Sequence, residues 1–183
     1  SHSLSAVPHV MIFKDRDATK SWVVYHHKNT SAPETEYLLL EGTGATTDSA
    51  VYFNDTAPTS SVFTVSTGTD ANASGDDFIS YHWRSVQGFS KFGSYTGNNS
   101  TDGTFVYTGF KPAWLMVKAT DTGQSWSIVD TKRNTYNQTS KTLFANSDSA
   151  EQDSTANASF DFLSNGFKPR MADADVNGDG NTY

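Results

Sequence analysis

The chain has 183 residues, a formal charge of −7, 36 % hydrophobic and 13 % aromatic residues, and no cysteine. An acidic chain is repelled by phosphate backbones, and no basic run exceeds Lys132-Arg133, so composition argues against nucleic-acid binding. The absence of cysteine excludes disulfides, thiolate nucleophiles and cysteine zinc sites. The longest apolar runs, such as Val10–Phe13 and Tyr37–Leu40, are too short to cross a bilayer as a helix.

Taken in order, the apolar bursts are Val10–Phe13, Trp22–His26, Tyr37–Leu40, Val51–Phe53, Val62–Val65 and Phe78–Trp83. They continue with Phe89–Tyr95, Thr104–Tyr107, Trp114–Lys118, Trp126–Asp130, Lys141–Phe144 and Phe160–Leu163. Gly, Asn, Asp, Ser and Thr separate them. Short bursts with regular turn signals predict an all-β antiparallel sandwich, jelly-roll or concanavalin-like. The weak exception is Ser147–Asp153, where Asp148 and Glu151 suit a first helical turn.

The chain also repeats itself. A shift of 104 positions pairs Pro8 with Pro112, Lys14 with Lys118, Asp17 with Asp121, Trp22 with Trp126 and Lys28 with Lys132. Leu39 then meets Leu143 and Phe63 meets Phe167. One further residue of slippage pairs Asn72–Gly75 with Asn177–Gly180 and Phe78 with Tyr183. The period is too long for a solenoid and implies two tandem related units. The expected division is 1–87, a first unit lacking its N-terminal strands, and 88–183, a second lacking its last strand. A window cut from a longer array is the expectation.

Residues able to carry chemistry are few. His26 and His27 are adjacent on a predicted strand and point to opposite faces, so one ion cannot take both; His2, His9 and His82 lie elsewhere. Asp173-Ala-Asp175-Val-Asn177-Gly178-Asp179-Gly180 resembles the opening of a calcium loop, but a tight Asn/Gly turn explains the same residues. No Gly-x-Ser-x-Gly elbow occurs. The reading is of a non-enzyme with no catalytic, cofactor or metal residues and no cofactor. The pair Trp22 and Trp126 is expected in the core; Trp83 and Trp114 are less constrained and could be platforms for sugar rings. Asn-x-Ser/Thr triplets start at Asn29, Asn54, Asn72, Asn98, Asn99, Asn137 and Asn157 and follow from composition.

The string Gly88-Phe-Ser-Lys-Phe-Gly-Ser-Tyr-Thr-Gly-Asn98, followed by Asp102–Lys118, resembles a repeat module of marine bacteriophage virion proteins of the tail-fibre or tail-associated kind. Phe162–Lys168 is similar too. The resemblance implies a virion, hence extracellular, location and a structural role in host attachment. It implies homo-oligomers, with a trimer favoured, other virion proteins as partners, and a host glycan or protein receptor. A capsid decoration domain, or a carbohydrate-binding module of a secreted or cell-surface protein, would use the same kind of fold. Neither nucleic acid nor membrane insertion is expected.

Overall fold

A computed structural model describes the chain except Ser154, Ala156 and Asn157; the triplet at Asn157 lies outside the described residues. The architecture is all-β and antiparallel. The chain divides into two compact units, one of residues 1–86 and 90–93, the other of 87–89 and 94–183.

The first unit is one five-stranded sheet. Its strands are β1 (Val10–Asp15), β2 (Val23–His26), β3 (Glu36–Leu39), β4 (Thr47–Asp48) and β5 (Phe78–Trp83). The order is β4-β3-β2-β1-β5, so a four-stranded meander gains β5 on the far side of β1. The register runs from Val10 opposite Trp83 to Asp15 opposite Phe78. Alternation sends Met11, Phe13, Val23 and Tyr25 to one face. There they meet Tyr52, Phe53 and Ala71, with Phe63 and Val65 packed at the rim. Tyr52 and Phe53 come from a single helical turn, α1 (Ala50–Phe53), and Ala71 from another, α2 (Thr69–Asn72).

The apolar burst Val51–Phe53 thus belongs to a turn of helix rather than to a strand. The Ser49 side chain caps it by accepting the Val51 N–H, and Asn54 closes it in the left-handed region.

The second unit has two sheets. One is β10-β9-β8-β7, built from β7 (Trp114–Val117), β8 (Ser127–Asp130), β9 (Lys141–Phe144) and β10 (Gln152–Asp153). The other is β11-β12-β6, with β6 (Val106–Tyr107), β11 (Phe160–Leu163) and β12 (Gly166–Pro169). Leu115, Val117 and Val129 of the first sheet share a buried cluster with Phe160, Phe162 and Phe167 of the second, the inner layer of a sandwich. Gly166 is required where β12 passes β6, because a Cβ there would lie 2.2 Å from the Val106 carbonyl oxygen. The Ser147–Asp153 segment is not helical. Its end is β10, paired with β9 through Gln152 and Thr142.

Strand bounds recur between the units at the sequence offset: β2 over 23–26 and β8 over 127–130 are separated by 104 positions. Smaller features recur with them. The Leu40 N–H donates to Trp22 O, and the Ala145 N–H to Trp126 O, at 3.0 and 3.1 Å. The α2 turn, with the Asn72 N–H on Gly68 O, has a counterpart in the Asn177 N–H on Asp173 O. Gly75 and Gly180 follow these turns with φ of 91° and 71°, a region glycine enters without strain.

Candidate functional site

All five histidines lie in the first unit, and strand pairing brings His9 beside His27. The His27 N–H donates to His9 O across β1 and β2, and the two rings stack at 4.0 Å with a 1° interplanar angle. The Ser85 N–H donates to His9 Nδ1 at 3.0 Å, and the Ser85 hydroxyl lies 2.9 Å from the same nitrogen. The Phe92 N–H donates to Ser85 Oγ. His27 Nε2 lies 3.2 Å from Phe92 O, the geometry of an N–H donor to a carbonyl.

This arrangement favours neutral imidazoles. Nδ1 of His9 is occupied as an acceptor, so a proton there would face a donor. Burial first, then neighbouring cations, hold His9 below its ordinary value. Burial also holds His27 down, against the raising effect of the Phe92 carbonyl. Burial pushes His26 down to about 4; its Nδ1 accepts the Lys28 N–H. The adjacent rings of His26 and His27 meet edge to face at 5.4 Å, because β2 ends at His26 and His27 leaves the strand. The tighter stack of His9 on His27 is visible only once the hairpin register is known.

A nucleophile beside a base is two-thirds of a catalytic triad. The Ser85 hydroxyl, however, faces a nitrogen that its own N–H already occupies, and among the described residues no carboxylate hydrogen-bonds His9. A second histidine, His82, lines a shallow cleft of about 370 Å³ with Ser1, His2, Leu4 and Ser80. Its ring lies 5.5 Å from that of His2.

Sequence reading did not single out Asp15. Its carboxylate is buried; Oδ1 accepts the N–H groups of Asp17 and Ala18, while Oδ2 has no donor among the described residues. Asp76 sits against it and is raised above the usual carboxylate range, first by that side-chain contact. Burial acts to raise Asp15, and the two N–H groups outweigh it, so Asp15 is lowered. The offset positions in the second unit are Ala119 and Asn181, so this pair belongs to the first unit alone.

Three side chains of the 173–180 segment hold the fold. Asp175 Oδ1 accepts the Ser125 N–H, and Asp173 Oδ1 accepts the Asp175 N–H. Asn177 is fully buried. Its Nδ2 donates to Asn98 Oδ1, Ser100 O and Met171 O, and its Oδ1 accepts the Asn98 N–H. Asn177 is thus the pin of a loop, which the Asn/Gly composition hinted at but could not locate.

The tryptophans divide. Neither Trp22 nor Trp126 belongs to the main buried cluster of its unit; each lies one residue before its strand, β2 or β8. Trp126 is buried there at 7 % exposure; Trp22 is half-buried under the Lys14 ammonium, 5.9 Å from its ring centre. Tyr81 and Trp83 are exposed on the same face of β5 and stack at 5.9 Å with an interplanar angle of 17°. Trp114 on β7 is 54 % exposed.

Capping side chains repeat between the units. Asp17 Oδ2 accepts the Asp77 N–H, and Asp121 Oδ2 accepts the Thr182 N–H. Lys14 Nζ reaches Ala18 O at 3.5 Å, and Lys118 Nζ reaches Thr122 O at 3.4 Å. Lys118 is the more enclosed, and burial pushes its ammonium down to about 8. Asp130 accepts the Lys132 N–H as His26 accepts that of Lys28.

The family model described as Domain of unknown function (DUF7483) matches residues 1–183, and the chain belongs to that family. No curated protein and no solved structure matches it.

Proposed function

We propose that this member of the DUF7483 family is a non-catalytic structural and recognition module of a virion appendage, of the tail-fibre kind, serving host attachment. The observation that carries the reading is the use of polar side chains. Asp17, Asp121, His26, Asp130 and Asn177 hold turns and strand entries in place, as a scaffold that presents loops requires. The offset recurrence of these bonds supports two related tandem units. The string from Gly88 to Lys118, which resembles phage repeat modules, supports the setting, and with it a homo-oligomer, a trimer being favoured. Immunogold labelling of phage particles with antibody to this domain, beside its binding to host cells, tests the proposal. Decoration of the appendages supports it. A monomer absent from virions that leaves host cells unbound would sink it.

A second reading has its own observation. The stacked, exposed pair Tyr81 and Trp83 offers a flat aromatic surface, which suits the apolar face of a sugar ring. A glycan array with wild type and Trp83→Ala distinguishes the two: glycan binding lost in the variant favours a carbohydrate-binding module.

A further inference from the structure

The stacked rings of His9 and His27 lie among cations. Lys28 follows His27 in the chain, and its N–H is held on His26 Nδ1. Arg84 precedes Ser85, whose N–H donates to His9 Nδ1. Lys91 precedes Phe92, whose carbonyl lies 3.2 Å from His27 Nε2. Three separate stretches of the first unit thus bring a cation each to one end of its sheet. Burial first, then Lys91, Arg84 and Lys28 in that order, hold His9 below its ordinary value, and no carboxylate offsets them.

This cluster departs from the rest of the chain. The formal charge is −7, yet no acidic residue occurs between Asp77 and Asp102. Arg16, Arg133, Lys141, Lys168 and Arg170 each meet a carboxylate. Lys28, Arg84 and Lys91 are exposed, and among the described residues their side chains form no ion pair. Like charges gathered without a counter-charge repel one another and draw anions to the surface. A further donor stands beside them. Nδ1 of His9 accepts the Ser85 N–H, so the neutral ring carries its proton on Nε2, which has no partner among the described residues.

The aromatic surface lies at the same end of the sheet. Val10 stands opposite Trp83 on one side and His26 on the other, so these three form one row across β5, β1 and β2. Arg84 is the next residue after Trp83.

We propose that this end of the first unit binds an acidic saccharide, one that bears carboxylate or sulfate groups. The inference rests on the carbohydrate reading above and adds the charge of the ligand. The Tyr81 and Trp83 rings take the apolar face of a sugar. Arg84, Lys91 and Lys28, with the His9 Nε2–H, take the anionic groups, the Arg84 guanidinium through two parallel N–H groups. A saccharide spaces its charges by whole rings and offers apolar faces between them. A phosphate backbone would instead bring dense charge against an acidic chain.

The test is an array of oligosaccharides in matched neutral, carboxylated and sulfated forms, probed with the full chain and competed with inorganic polyphosphate. Acidic members should bind about tenfold more tightly than their neutral counterparts, and salt should weaken them. Arg84→Gln combined with Lys91→Gln should remove that preference and keep the melting temperature, since both side chains are exposed. Trp83→Ala should weaken every member. Neutral sugars bound through Trp83, with the double variant unchanged, would overturn the inference and leave carbohydrate recognition standing. An array with no bound member would overturn both. Acidic binding that polyphosphate displaces and Trp83→Ala leaves intact would show a plain anion exchanger and also overturn the proposal.

Discussion

The first unit draws its buried aromatics from its sheet and from α1, whereas the second draws most of them from the β11–β12 hairpin. Met11, Phe13 and Tyr25 in the first unit stand where Leu115, Val117 and Val129 stand in the second. The second unit compensates with Phe160, Phe162 and Phe167 from β11 and β12. In the first unit the counterpart of that hairpin is reduced to a turn, the Thr59 N–H on Val62 O, where the second has the pair Leu163 and Gly166. What the units share is the set of caps at strand entries. Total core volume is a collective property and can be moved between elements. A cap satisfies one particular N–H and has no substitute elsewhere.

The largest effect should come from the relocated aromatics. Phe160→Ala removes a fully buried ring and should cost about 3–5 kcal/mol. Its offset counterpart Thr56 is exposed, and Thr56→Ala should stay within about 0.5 kcal/mol. Chemical denaturation of both variants checks the asymmetry; equal losses would break it.

Next comes the loop pin. Asn177→Ala strands Ser100 O, Met171 O and the Asn98 N–H and should cost about 3 kcal/mol. Asn72, exposed and donating to Ser66 O, should lose about 0.5–1 kcal/mol on the same change. Comparable losses would mean that the two turns are held alike.

A pH series separates the units by histidine content. His9, His26, His27 and His82 all have folded values lowered from 6.5, His26 to about 4. The unfolded chain therefore binds more protons than the folded one in that window, and stability falls as pH drops from 6.5 towards 4. The second unit has no histidine. Unit-resolved melting at pH 7.5 and 5 should show this loss in the first unit; Asn replacements of His9 and His27 should reduce it.

The smallest effect concerns Lys118. Its lowered folded value means that the unfolded chain holds the extra proton between about 8 and 10.5, so this group makes stability rise with pH across that range. In Lys118→Met that component of the rise should be absent from denaturation curves between pH 7.5 and 10.

Much of the fold was legible because alternation reports burial directly. Phe78–Trp83, Trp114–Val117 and Ser127–Asp130 lie in strands near where the pattern put them. The helical turn at Ala50–Phe53 was not legible, since three apolar residues carry no period and the Ser49 cap decides the outcome. β12 was missed because Gly166 and Pro169 weaken its strand signal, though the Val106 carbonyl demands that glycine. The His9 and His27 stack depends on register, and Asp15 on burial that a turn-rich acidic segment does not announce. Of the recurring tryptophans, Trp126 is buried as the repeat implies, whereas Trp22 is half-buried beside Lys14.

The most direct test of the shared plan is amide hydrogen exchange on the monomeric protein. The account predicts slow exchange at Met11 and Phe13, bonded by β2, and at their offset counterparts Leu115 and Val117, bonded by β8. Fast exchange at Leu115 and Val117 beside slow exchange at Met11 and Phe13 would contradict it.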